Sequence, residues 1–265
     1  MNKKHIVLFD MDGTLTEPRK EFDKRLLQPL RELSNYAEIG ILTGSDLDYV
    51  NQQMDLLIRF SELRYKIHLL PCNGTKHLLP PKSSNEKFRL VHENDMRREI
   101  GETCFRDMMI LLTNFQEEAC YHPIPLTGHF ISYRGSMINW CPIGRNANTE
   151  QRSIFQSFDN NLDPKFRIRT IDKLRYKINL RCKEEITVKL GGETSFDIYP
   201  TGWDKTYSLK HFPEHTHWFV GDRCDTGGND QEIYELLKKD NKSFKTTSTE
   251  HTSEIIMKQI IPRLK

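Results

Sequence analysis

The run His5-Ile6-Val7-Leu8-Phe9 stops abruptly at Asp10-Met11-Asp12-Gly13-Thr14-Leu15-Thr16. A short apolar strand that delivers an aspartate to its carboxyl end is a strong constraint on fold, because open α/β sheets place their sites at that edge. Two aspartates one residue apart suit phosphoryl transfer. Asp10 can attack phosphorus and form an acyl phosphate, which splits one hard displacement into two easier ones. Asp12, where the chain turns away, can serve the attacking or leaving oxygen as general acid or base. Gly13 lets the backbone approach a phosphate closely. A carboxylate attacking a dianion also needs positive charge nearby, most simply Mg²⁺ on hard oxygen ligands.

The rest of the chain bounds the setting. Its 265 residues, 37% hydrophobic and 29% charged, suffice for one large or two modest domains. A net charge of +2 gives no global field favouring nucleic acid or an acidic membrane. The cluster Arg167, Arg169, Lys173 and Arg175 reads as one solvated helix face. The few residues before Asp10 are too short for a signal peptide, and no run reaches the length of a membrane span. The six cysteines lack CxxC spacing and read as reduced thiols, with neither a disulfide nor a zinc site. The expected location is the cytoplasm.

Strand and helix alternate through the first third. Leu26, Leu27, Leu30 and Leu33 mark a helix, 37–42 a strand, 47–57 a helix and 67–70 a strand. This alternation predicts a parallel sheet with helices on both faces. The segment 79–85, with Pro80-Pro81, reads as a linker. Beyond it come a helix over 93–115, a hairpin from 129–133 and 137–141, helices over 149–158 and 164–180, and strands over 186–190 and 195–199. Alternation returns after Pro200, with a strand at 217–220 ending on Gly221-Asp222. The expected fold is therefore α/β: a Rossmann-like core of residues 1–83 and 201–265 with a parallel sheet, carrying an inserted α+β cap of residues 84–200.

Three further segments carry chemistry. Thr43-Gly44-Ser45-Asp46 follows the second strand, where the Ser45 hydroxyl can bind a phosphoryl oxygen while Ser45 or Asp46 caps the next helix. Lys205, in Gly202-Trp203-Asp204-Lys205, can offset the charge of carboxylates and the transferring group. Asp222 is a natural metal ligand beside Asp10, and Asn229-Asp230 after Gly227-Gly228 can orient ligands.

These four segments resemble the haloacid-dehalogenase superfamily. Over nearly the whole length the chain is similar to the eukaryotic-type phosphomannomutases: Leu15-Thr16-Glu17-Pro18-Arg19 resembles that family's LTxPR, Asn73-Gly74 its ENG, and Arg134-Gly135-Ser136-Met137-Ile138-Asn139 its RNGMLN. Pro142-Ile143-Gly144-Arg145, Gly202-Trp203-Asp204-Lys205-Thr206-Tyr207 and Gly227-Gly228-Asn229-Asp230 match outright, Arg152 falls where the family has a further arginine, and 191–197 resembles GGQISFD. The resemblance implies a haloacid-dehalogenase-like core with Asp10 as nucleophile, Asp12 as acid/base, Lys205 and Ser45 assisting, and Mg²⁺ held among Asp10, Asp12, Asp222 and Asp230. It implies a cap that grips the idle phosphate through Arg134, Arg145 and Arg152 and the sugar through Ser195 and Asp197, with Arg19 contributing from the core side. It also implies a hexose 1,6-bisphosphate as activator and a homodimer through the cap. The chain departs from the family pattern at Thr127 (an arginine there), Ser132 (a glutamate), Arg223 (a lysine), Thr43 (a glycine) and Cys72 (a glutamate).

The activity so implied is interconversion of mannose 6-phosphate and mannose 1-phosphate, feeding GDP-mannose synthesis, with hinges near Pro80-Pro81 and Pro200-Thr201-Gly202 closing the cap against water. Two other readings stand beside it. A sugar-phosphate phosphatase would pass the acyl phosphate to water, and a sugar-phosphate-binding protein would not turn over at all.

Overall fold

The computed structural model describes residues 4–17 and 20–265; Arg19 lies outside the described residues. In chain order the first elements are β1 (Lys4–Phe9), α1 (Leu27–Leu33), β2 (Glu38–Leu42), α2 (Leu47–Gln53), β3 (Ile67–Leu70), β4 (Lys76–Leu79) and β5 (Arg89–Glu93). Then come α3 (Met96–Cys120), β6 (Ile131–Tyr133), β7 (Ile138–Trp140), α4 (Thr149–Asn160), α5 (Phe166–Asn179), β8 (Ile186–Gly191) and β9 (Ser195–Pro200). A 3₁₀ segment (Lys205–His211) leads to β10 (His215–Gly221), α6 (Gln231–Lys238), β11 (Ser243–Lys245) and α7 (Thr249–Ile255), which continues helically to Leu264.

The chain divides into two compact units, residues 1–93 with 203–265 and residues 94–202. The first break comes ten residues after the expected 83/84 because β5 belongs to the first unit's sheet. That seven-stranded sheet has the order β11-β10-β1-β2-β3-β4-β5. The pairs β11–β10, β10–β1, β1–β2 and β2–β3 are parallel, as the alternation predicts. The pairs β3–β4 and β4–β5 are antiparallel. The Pro80-Pro81 segment is accordingly the connection between two paired strands and not a linker or hinge.

The central strand β1 is apolar on both faces because both are covered. Val7 and Phe9 pack with Ile39, Ile41, Leu30, Val50 and Ile256 on one side. Ile6 and Leu8 pack with Leu42, Leu70, Phe219, Ile233 and Leu237 on the other. Each such side chain taken out of water contributes about 1.5–3 kcal/mol. The parallel strands therefore present their carboxyl ends, and the residues after them, at one edge.

The inserted unit has an antiparallel sheet, β6-β7-β9-β8. One face is apolar: Trp140 stacks on Phe196 with ring centroids 4.8 Å apart, and Phe115 of α3 meets Trp140 edge-on. The expected 129–141 hairpin is present, with its turn closed by the Arg134 N–H donating to Met137 O at 2.9 Å. One expectation fails. Cys104 of α3 and Cys182 beyond α5 form a disulfide, their Cα atoms 5.1 Å apart. They lie 78 residues apart in sequence, so only the packing of α3 on α5 brings them together. Cys72, Cys120, Cys141 and Cys224 are free thiols.

Histidines collect on the first unit's sheet, on the face opposite α2. His68 Nδ1 lies 2.9 Å from His77 Nε2, and His68 Nε2 lies 3.1 Å from Glu38 Oε2. His77 pairs with His92 across β4 and β5. The His211 ring lies 4.6 Å from that of His77 and 4.9 Å from that of His92, and His211 Nε2 meets Gly74 O at 2.7 Å. Burial and neighbouring histidines hold His77 down at about 3; burial also lowers His92 and His211. Groups whose folded value is depressed leave the folded chain with fewer protons than the unfolded one near pH 6. Their stabilisation is thus present above the ordinary value of about 6.5 and is lost as pH falls below it. His77→Asn should remove one such proton: between pH 6.5 and pH 5 the variant should lose about 1–2 kcal/mol less stability than the parent. Urea unfolding at a series of pH values measures the difference, and parallel curves would show that His77 is not a source of the slope.

Candidate active site

Asp10 follows β1 directly, and its N–H donates to Val220 O of β10 at 2.9 Å. That bond holds β1 and β10 in register through their last residues, so Asp10 and Asp222 leave neighbouring strands side by side. The chain then turns tightly, with the N–H groups of Leu15 and Thr16 both donating to Met11 O. Gly13 has φ +82°, and a Cβ there would lie 2.3 Å from Asp222 Oδ2. The glycine is thus required both for the turn and for the approach of Asp222.

Lys205 opens the 3₁₀ segment, whose start is capped by Asp204. Its ammonium is wholly buried and bonds both Asp10 Oδ1 and Asp230 Oδ1. The other oxygen of Asp230 accepts from the Arg223 N–H at 3.0 Å. Gly221 leaves room for it, since a Cβ there would lie 2.4 Å from Asp230 Oδ2. Ligand oxygens of Asp10, Asp222 and Asp230 all lie within 4.8 Å of one another. The Lys205 ammonium and the Arg223 guanidinium, 3.9 Å from Asp222 Oδ2, face three carboxylates, which leaves one negative charge in excess. Burial raises Asp10 well above the usual carboxylate range, and Lys205 only partly opposes this. Asp222 is pushed up to about 6 by burial and then by the charge of Asp230. The two carboxylates in turn raise Lys205 and keep it charged.

This donor set fits a divalent cation. It offers hard oxygens only, it carries excess negative charge, and Asp222 Oδ1 is buried without a hydrogen-bond partner. Asp12, the fourth residue expected to hold the ion, lies outside the three-carboxylate group. Its Oδ1 accepts from the Tyr49 hydroxyl at 3.2 Å. Tyr49 carried no motif and was not foreseen; only its place on α2, one turn past the cap, could have suggested it. Asp46, not Ser45, caps α2 by accepting from the Tyr49 N–H at 2.9 Å, which leaves the Ser45 hydroxyl uncommitted among the described residues. The loop carrying Ser45 is clamped from below: the Cys72 and Asn73 N–H groups donate to Ser45 O and Thr43 O, both at 2.8 Å. Cys72 and Asn73 hold φ of +52° and +61° to do so, and the Asn73 amide reaches Trp203 O two residues before Lys205.

The inserted unit gathers its own polar group, on the sheet face turned away from Trp140 and Phe196. Cross-strand pairing sets Ser132, Asn139, Asp197 and Lys189 in one row over β6, β7, β9 and β8. Asn139 donates to Asp197 Oδ1 at 2.7 Å and to Ser195 Oγ at 3.0 Å, while its carbonyl accepts from Arg145 Nη1 at 3.0 Å. Gly191 makes room, since a Cβ there would meet Asp197 Oδ1 at 2.8 Å and Ser195 Oγ at 2.9 Å. Of the expected residues the structure thus brings together Arg145, Ser195 and Asp197. Arg134 is buried in the β6–β7 turn. Arg152 is also buried, and its three nitrogens donate to Ala147 O, Thr194 Oγ1 and Arg145 O. That makes it a brace for the Arg145 backbone. Asn139 and Lys189 were missed as members of this group because strand register cannot be read from composition.

Lys205→Met should cost about 3–5 kcal/mol at pH 7, because it leaves buried carboxylates unpaired. The cost should shrink toward pH 5. Carboxyls with folded values above their unfolded ones take up protons in the folded state, and a neutral acid needs no cation. Urea unfolding at the two pH values checks this; an equal cost at both would show that the lysine does not neutralise these acids.

The sequence profile of eukaryotic phosphomannomutase matches residues 26–261. Phosphomannomutase 1 of Dictyostelium discoideum is 34% identical over 262 residues, covering 96% of this chain and 97% of its own. The phosphomannomutase of Arabidopsis thaliana is 33% identical over 237 residues, 88% of each chain. Among solved structures, a C-terminally truncated IMP-nucleotidase of Plasmodium falciparum superposes with a TM-score of 0.64 at 13% identity, over 99% of this chain and 72% of that one. A trehalose-6-phosphate phosphatase related protein does so with a TM-score of 0.52 at 14% identity, over 95% of each. These structural likenesses carry the α/β fold, with its mostly parallel sheet. The profile match and the two relatives, a third identical over most of both chains, carry more: the chain belongs to the eukaryotic phosphomannomutase family.

Proposed function

We propose that the chain moves a phosphoryl group between O6 and O1 of mannose phosphate by way of phosphorylated Asp10 and a hexose 1,6-bisphosphate. The observation that carries the reading is the buried Asp10–Lys205–Asp230 bridge beside Asp222, in a chain of this family. Asp10 attacks phosphorus, and Lys205 offsets its charge as the acyl phosphate forms. Asp12, held by Tyr49, protonates the leaving oxygen in one half-reaction and deprotonates the sugar hydroxyl in the other. Ser45 donates its hydroxyl to the phosphoryl group. Mg²⁺, held by Asp10 and Asp222 with Asp230 as their support, would neutralise charge on the transferring group.

In the inserted unit, Arg134 and Arg145 are the candidates for the idle phosphate, since guanidinium forks match its oxygens. Ser195, Asp197 and Asn139 suit sugar hydroxyls, while Arg152 acts by holding Arg145. Arg19 keeps its expected part as a phosphate ligand. A homodimer, a cytoplasmic location and supply of mannose 1-phosphate for GDP-mannose complete the proposal. Among the described residues, no helix is long and apolar enough to cross a membrane.

Product NMR on mannose 6-phosphate, with and without catalytic glucose 1,6-bisphosphate, is the direct test. Mannose 1-phosphate should appear and should depend on the bisphosphate; inorganic phosphate in its place would identify a phosphatase. Asp10→Asn should abolish ³²P transfer from labelled bisphosphate to protein, and label retained at another residue would remove Asp10 from its role. Arg145→Ala should raise KM by about 10–100-fold, the worth of one charge-assisted contact. Unchanged steady-state kinetics would take Arg145 out of the binding set.

A further inference from the structure

The seven-stranded sheet is wider than the helices that cover it on the α2 side. α2 has seven residues, and the helical turns after it, Leu56–Phe60 and Glu62–Tyr65, reach only part of the outer strands β3 and β4. The uncovered part is a cavity of about 520 Å³ in the first unit. Small-molecule sites commonly span roughly 300–1,000 Å³. Its floor is apolar, formed by Ile58, Leu69, Leu78 and Phe88. Its rim carries Arg59, Arg64 and Lys87, and none of the lining residues is acidic.

The three cations differ in what they have to bind. Arg59 is paired with Asp55 at 2.8 Å. Arg64 gives one Nη2 hydrogen to Glu86 O at 3.1 Å, but its Nε is buried with no hydrogen-bond partner. Lys87, on the connection leading into β5, forms no ion pair among the described residues. Arg64, partly exposed, and Lys87, exposed, are the rim's available cations, and an anionic oxygen is the best acceptor for their remaining N–H groups. A concave apolar floor and a rim on which Arg64 and Lys87 have no carboxylate partner among the described residues ask two things of one occupant: a hydrocarbon body and a single anionic head.

We propose that this cavity binds an amphiphilic monoanion of medium chain length, its carboxylate on Arg64 and Lys87 and its alkyl body over Leu69, Leu78 and Phe88. The site is separate from the phosphoryl-transfer residues, and the proposal stands independently of the function proposed above.

Equilibrium dialysis of the full chain against radiolabelled decanoate tests it. Decanoate should bind saturably with a Kd on the order of 0.1–1 mM. Arg64→Gln and Lys87→Gln should each weaken binding by about fivefold or more, as expected for the loss of one charge-assisted contact. Asn51→Trp, which places an indole into the cavity from the half-buried face of α2, should abolish binding without changing the circular dichroism spectrum. Decan-1-ol should compete at least tenfold less well than unlabelled decanoate. Three results would each overturn the proposal: no saturable binding by 5 mM (roughly tenfold above that Kd range's midpoint), equal competition by the alcohol, or unaltered affinity in the Arg64→Gln/Lys87→Gln double variant.

Discussion

The structure of the first unit depends on one buried ammonium. Lys205 reaches Asp10 and Asp230 at once, and both partners are sealed from water. Most buried lysines are costly, and this one is retained because the two acids beside it would be costlier alone. Its placement fixes much else. Asp230 must come close beneath Gly221, Asp222 must come close beneath Gly13, and both positions exclude a side chain. The two glycines and the lysine are thus one steric and electrostatic unit, built from three distant stretches of chain. The unit still carries more carboxylates than cations, even with Arg223 3.9 Å from Asp222.

The parallel core was legible because its signals are local. An apolar run ending in an aspartate needs no partner to be recognised, and β1 with Asp10 and β10 with Asp222 both announce themselves this way. The outer strands were not legible. β5 is almost entirely exposed and so lacks the burial pattern that marks a strand, and β4 runs straight into Pro80-Pro81; their pairing turned an expected linker into a hairpin connection. The Cys104–Cys182 bridge was hidden for a related reason, since spacing carries no information when α3 and α5 supply the proximity.

The candidate site followed the same division. Asp10, Lys205, Asp222 and Asp230 sit at strand ends or helix starts, where sequence position implies spatial position. The polar row Ser132–Asn139–Asp197–Lys189 is a property of register across four strands, and no single segment contains it. Arg152 makes contacts that residue type alone does not foretell. A guanidinium in a matching motif suggested a ligand contact, yet the fold engages all three of its nitrogens in holding neighbouring backbone and a threonine hydroxyl.

The insertion separates Asp10 from Lys205 by 195 positions. A ribosome therefore releases the acid long before it makes the base. Strands β1 to β3 can assemble early, but their central carboxylate has no counter-ion until the inserted unit has been translated and the chain has come back through Trp203. The last strands and helices supply the remaining partners, Asp222 and Asp230. Completion of the charge arrangement thus waits until the chain has been made through Asp230, and a nascent chain halted within the insertion would hold Asp10 in a protonated or solvent-open form.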